Sequence, residues 1–184
     1  MGTARISVIV VAMLAVFSGT ALGQAQPSVQ AKHLGTFDAW NAWEHGEQAG
    51  RVCYVSAAPA TSQTKPPGVR RGQVWVMVSH RMAANARDEV SFQAGYPIKG
   101  DRPVTAVVDR TRSFELSTRA TAIPETIWAK DSATGRAMIT AMRTGRELVV
   151  NGTSQRGTTT TDTFKLDGFA KALDAANRAC PAPR

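Results

Sequence analysis

The stretch Asn151–Phe169, NGTSQRGTTTTDTFKLDGF, decides how the C-terminal part of the chain is read. Together with the preceding Glu147–Val150 (ELVV), it contains two runs rich in Val, Thr and Phe, ELVVNGTS and TTTTDTFKL, separated by the turn-forming SQRG. β-Branched and aromatic side chains suit a pleated, half-buried surface, so the two runs predict a β-hairpin. Two catalytic readings of the same residues fail. A nucleophile elbow needs G-x-S-x-G between a strand and a helix, whereas Gly152, Ser154 and Gly157 are one residue too wide and a strand follows. A phosphate loop needs Gly-Lys-Ser/Thr opening a helix, and the chain contains no such tripeptide.

Downstream of the hairpin, LDGFAKALDAANRACP reads as a helix. Asp167 is the expected N-cap, Phe169, Leu173, Ala176 and Cys180 share a face, and Pro181 prevents continuation. Upstream, DSATGRAMITAMRTG reads as a second helix, capped by Asp131, with Met138, Ile139 and Met142 on one face, Arg143 in the last turn and Gly145 at the stop.

Earlier segments alternate apolar and polar residues with period two: Val90 and Phe92 in EVSFQAGY, Val104, Ala106 and Val108 in PVTAVVD, Phe114 and Leu116 in SFELST. The turns KGDRP and DRTR between them are too short for the crossovers that parallel strands require, which predicts an antiparallel meander. QVWVMVSHRM is apolar at both alternating sets and predicts a strand covered on both sides, with Trp75, like Trp128, expected in the core. TFDAWNAW and RVCYVSAA are expected to pair as a hairpin, and Pro59, Pro66, Pro67 and Gly68 mark PATSQTKPPGVRRG as a loop without regular structure. The predicted fold class is mainly β and antiparallel, with one internal helix and a C-terminal helix.

The first residues set the compartment. Arg5 precedes a short apolar run, ISVIVVAMLAVF (Ile6–Phe17), with small residues at Ala21 and Gly23, the pattern of a secretory signal peptide over residues 1–23. The run is shorter than the roughly 20 apolar residues of a bilayer span, so no transmembrane segment is expected in the mature chain. Residues 24–35 are polar and aperiodic and read as a flexible leader, with one ordered domain over 36–184. Two cysteines, Cys53 and Cys180, fall in the exported part. An even count in an oxidising compartment predicts a disulfide, closing a span of 127 positions (180 minus 53). A redox or metal-ligand pair is the competing reading, without a CxxC spacing to support it.

The formal net charge is +8, with 16 Arg and 6 Lys among the 22 basic residues. An arginine-rich exported chain favours anionic partners: envelope glycan, lipid or a host surface protein. Arg70 and Arg71 at the rim of the proline-rich loop and Arg156 at the hairpin tip are the candidate anion-binding residues, because guanidinium forks match phosphate and carboxylate geometry. His33, His45 and His80 are scattered without metal-ligand spacing, and no cofactor is expected. Asp38, Glu44, Asp109 and Glu115 lie in a meander whose pairings the sequence leaves open, so a carboxylate hydrolase is the rival reading, without a nominated acid and base. No aromatic module for nucleic acid is present, and an exported address argues against that partner.

The set VCYVS, RRGQVWVMVSHR, VSFQAGY and AMRTGRELVVNGTSQRGTTTTDTFKLDGF, followed by the final cysteine, resembles the invasion-associated locus B family of exported bacterial proteins. The likeness spans Phe37–Cys180, and its most specific pieces are Arg71-Gly72, Gly95-Tyr96 and the S-x-RGT run with its D-x-F-x-L-x-GF continuation. The resemblance implies an antiparallel β-sandwich of the periplasm or outer envelope, with no established catalytic chemistry and a name taken from host-cell invasion. Many members carry another cysteine soon after the first tryptophan; none stands near Trp40 or Trp43 here. The resulting expectation is a non-enzymatic binding or host-interaction factor of the envelope, the alternatives being a cell-envelope hydrolase and a structural envelope component.

Overall fold

The computed structural model describes residues 30–118 and 125–182. The expected signal peptide, residues 1–23, lies outside the described residues.

Among the described residues eleven strands run β1 (Lys32–Phe37), β2 (Trp40–His45), β3 (Val52–Ala57), β4 (Thr61–Lys65), β5 (Trp75–Arg81), β6 (Ala86–Gln93), β7 (Val104–Val108), β8 (Arg112–Ser117), β9 (Thr126–Ala129), β10 (Glu147–Thr153) and β11 (Thr159–Lys165). Helix α1 (Ser132–Thr144) lies between β9 and β10, and α2 (Phe169–Ala179) closes the described chain. All strands join one antiparallel sheet in the order β1-β2-β3-β5-β6-β9-β8-β7-β10-β11-β4.

The sheet folds back on itself as a sandwich. Phe92 on β6 and Phe164 on β11 are far apart in the strand order, yet their rings meet edge to face at 5.8 Å. Trp40 on β2 donates its Nε1–H to the Lys165 carbonyl at the end of β11, at 2.9 Å. Between the two halves lies the core, including Val55, Val78, Ile127, Leu148 and Phe164.

Period two explains the hairpin. On β11, Thr160, Asp162 and Phe164 face inward and are buried, while the alternate residues are more exposed; Leu148 and Val150 do the same on β10. Helix α1 forms as its caps predict: the Asp131 side chain accepts from the Thr134 amide at 2.7 Å, satisfying one of the free amides of the first turn, and Met138, Ile139 and Met142 are buried. Gly145 ends it, and a side chain there would strike Val108, 2.6 Å away.

Several expectations are corrected. The flexible leader was expected to run to Gly35, but β1 begins at Lys32, because His33 and Thr36 pair with Trp43 and Asn41 of β2. The proline-rich loop contains β4: Thr61 and Thr64 are strand formers, and between the flanking prolines the strand takes the sheet edge, where among the described residues only β11 pairs with it. Asp167 does not cap α2. The cap residue is Gly168 at φ +85°, where the backbone passes so close to Phe37 that a side chain would collide with its carbonyl. Trp75 is 38 % exposed and Trp128 half-buried, whereas Trp40 is fully buried against Phe169, rings 4.7 Å apart. The reason is parity: Val76, Val78 and His80 take the inward positions of β5, which leaves Trp75 and Met77 on the outer face, and that face lacks the full cover expected of it.

The expected bridge is present. Cys53 on β3 and Cys180 at the end of α2 are disulfide-bonded and fully buried, with Cα atoms 5.9 Å apart. Two arginines reinforce the same joint: Arg51 donates to the Ala179 carbonyl at 3.1 Å and Arg87 to the Cys180 carbonyl at 2.8 Å. Cations at the carbonyl end of a helix complement its dipole. No helix among the described residues is long and apolar enough to cross a membrane.

Candidate anion-binding pocket

Three segments, distant in sequence, converge at one rim of the sandwich: Val69–Gly72 leading into β5, Gly95–Ile98 after β6, and the β10–β11 turn. Their backbones interlock. The Gly72 amide donates to the Gly95 carbonyl at 2.8 Å, Gln155 to the Pro97 carbonyl at 2.9 Å, and Lys99 to the Thr153 carbonyl at 2.9 Å. Gly95 sits at φ +72°, and a Cβ there would lie 2.5 Å from the Gly72 carbonyl oxygen, so this approach needs glycine. At the hairpin tip the Ser154 hydroxyl accepts from the Thr158 amide at 3.1 Å, a turn-closing role.

Arg71 and Asp162 anchor the arrangement. Both carboxylate oxygens of Asp162, fully buried on β11, accept from the terminal nitrogens of Arg71, one of the bonds measuring 2.9 Å. A third acceptor for the guanidinium is the Ala94 carbonyl at 3.3 Å, and Ser62 of β4 donates to Asp162 at 2.7 Å. The Arg71 guanidinium also lies 5.9 Å from the centre of the Tyr96 ring, within cation–π range. The Tyr96 hydroxyl shares a 2.6 Å hydrogen bond with Thr160, and burial raises its pKa above the usual tyrosine value.

Above this layer opens a cavity of about 330 Å³, whose lining includes Val69, Tyr96, Pro97 and all three candidate arginines. The structure thus brings Arg70, Arg71 and Arg156 together but divides their roles. Arg71 is largely buried and its charge is balanced by Asp162. Arg70 and Arg156 are exposed and make no ion pair among the described residues, so theirs is the positive charge that the cavity presents. Reading the sequence missed Asp162 as the counter-charge and Thr160 as the partner of Tyr96. The available signal was an aspartate in phase with the inward-facing Phe164.

The carboxylates considered for hydrolysis occur in separate surroundings. Glu44 pairs with Arg51 at 3.1 Å, and Glu115 pairs with Lys130 at 3.0 Å. Asp109 accepts from the Arg146 and Glu147 amides, which hold its pKa below the ordinary carboxylate value. Asp38 occupies the β1–β2 turn at φ +51°. His80, placed with the scattered histidines, is a fully buried residue opposite Cys53, its Nδ1 accepting from the Asp88 amide at 3.1 Å.

A single antiparallel sheet doubled into a sandwich, with a disulfide-anchored C-terminal helix and an arginine-rimmed pocket, defines the class of protein. Residues 40–177 match the family described as invasion associated locus B (IalB) protein, and the chain belongs to that family. The pieces that carry the likeness, Arg71-Gly72, Gly95-Tyr96 and the run through Asp162, are the segments that interlock under the pocket. Neither the curated proteins nor the solved structures contain a match to the chain.

Proposed function

We propose that this member of the family is an exported, non-enzymatic envelope protein that binds an anionic group, phosphate or carboxylate, on an envelope glycan, lipid or host surface. The observation that carries this reading is the pair Arg70 and Arg156: two guanidiniums without ion-pair partners among the described residues, on a cavity whose third arginine is already neutralised. Guanidinium is weakly hydrated and presents a planar fork of donors, which suits oxyanions. The apolar surface of Val69, Tyr96 and Pro97 beside it suits a ligand with a hydrophobic or sugar body next to its charge. The buried disulfide supports an oxidising compartment. The non-enzymatic part of the reading is supported by the separate partners of Glu44, Asp109 and Glu115.

The test is retention on immobilised acidic polysaccharide and co-sedimentation with anionic vesicles, each at low and high salt. The double substitution Arg70→Glu with Arg156→Glu should weaken binding about ten-fold or more at low salt, and high salt should release the wild-type protein. Equal retention of wild type and double variant at low salt refutes the reading.

A further inference from the structure

A second surface with different chemistry lies on the outer face of β2, β3 and β5. Cross-strand register places Trp43 opposite Tyr54, Asn41 opposite Ser56, and Ser56 opposite Met77 on this face. The Trp43 and Tyr54 rings are nearly parallel, 18° apart with centroids at 6.4 Å, and His33 from β1 lies 4.6 Å from Trp43. At one end of the face a groove of about 590 Å³ is lined by Asn41, Tyr54, Ser56, Gln73, Trp75 and Met77, among others. Trp75 is more exposed than the other described tryptophans. The chain carries a formal charge of +8, yet among the described residues no Asp, Glu, Lys or Arg lines this groove.

We infer that this groove binds a neutral carbohydrate chain, with sugar rings against Trp75 and Tyr54 and their hydroxyls bonded by Asn41, Ser56 and Gln73. A pyranose has an apolar C–H face, complementary to an aromatic ring, and a rim of hydroxyls that both donate and accept. Neutral amides and hydroxyls are the matching side chains, because they too donate and accept. Asn41 is held for the purpose: its Oδ1 accepts from the Thr36 hydroxyl at 2.7 Å, which leaves its NH2 as a donor.

Charge complementarity argues against the other occupants. An anionic headgroup or nucleic acid would need cations, and the described lining holds none. An extended peptide would need a free strand edge, but β2, β3 and β5 are each paired on both sides. Three strands span about 10 Å from first to third, the scale of a short oligosaccharide. This inference does not depend on the arginine pocket.

Affinity electrophoresis in native gels containing glycol chitin, hydroxyethylcellulose or a soluble β-glucan tests it. At least one of these polymers should retard the wild-type protein, and added salt should leave the retardation intact. Trp75→Ala should weaken it about ten-fold, while Trp75→Phe should retain part of it. Arg70→Gln with Arg156→Gln should be retarded like wild type, which separates this site from the anion pocket. Because Trp75 is exposed, an unchanged thermal melt of Trp75→Ala verifies that the fold is intact; if Trp75→Ala melts early, Gln73→Ala replaces it as the deciding variant. Failure of all three polymers to retard the wild-type protein, or equal retardation of wild type and the deciding variant, overturns the inference.

Discussion

Arg71 and Asp162, 91 residues apart in the chain, form a buried two-pronged ion pair that ties the segment before β5 to the middle of β11. Arg71 is 9 % exposed and Asp162 fully buried, so each charge depends on the other for compensation. Removing one partner from such a pair leaves an unpaired buried charge and costs about 3–5 kcal/mol. Asp162→Ala and Arg71→Ala should each lower unfolding stability by about that amount, and the double variant by less than their sum. Urea unfolding of the three variants measures it; additive losses would show that the two residues act independently.

Gly95 should tolerate no side chain. Its left-handed φ costs an ordinary residue about 1–2 kcal/mol, and the collision with the Gly72 carbonyl adds to this. Gly95→Ala is expected to lose more than 1 kcal/mol and to weaken anion binding as well, since Gly95 itself lines the pocket. By contrast Gly157→Ala, at φ +84° but with open space around it, should lose only the backbone part. Chemical denaturation of both variants checks the difference.

Reducing the Cys53–Cys180 bridge should lower the stability of the fold while α2 stays packed by its buried apolar face. The bridge closes a span of 127 residues, for which chain entropy alone allows about 5 kcal/mol. Cys53→Ser with Cys180→Ser should therefore lower the melting temperature sharply under oxidising conditions, and wild type in reductant should approach the variant. Finding both thiols free by mass spectrometry of the native protein would contradict the arrangement.

His80 predicts an acid-sensitive fold. Burial and the Arg87 charge lower its folded-state pKa from 6.5, outweighing the opposing influence of Asp88 and Asn177. The groups facing the ring are Arg87 and Asp88 from β6, Asn177 from α2 and the disulfide beside it, and Nδ1 accepts a backbone bond that protonation would break. A depressed folded pKa means that the unfolded state takes up the proton first. The neutral-His contribution is complete above about pH 6.5 and is lost as pH falls below it. Urea midpoints should fall on acidification in wild type and fall less in His80→Gln; parallel profiles would remove His80 as the cause.

Much of the architecture was legible because it rests on local rules. The β10–β11 hairpin follows from two β-branched runs around SQRG, and α1 from Asp131, its apolar spacing and Gly145. The disulfide partners followed from count and compartment. β4 was not legible, because a polar run among prolines becomes a strand only when β11 offers it an edge. The start of α2 at Gly168 depends on how closely Phe37 passes, and the outward position of Trp75 on which parity of β5 faces the core.

The candidate site divides in the same way. The amino-acid sequence by itself determined the mainly β class, the two helices, the cysteine pair and the family, since periodicity, caps and turn residues act over a few positions. Only the tertiary structure decided that Arg71 is an internal cation while Arg70 and Arg156 face the cavity, because the fate of a charge is set by what packs against it. For Arg71 that neighbour is Asp162, brought near by the doubling of the sheet.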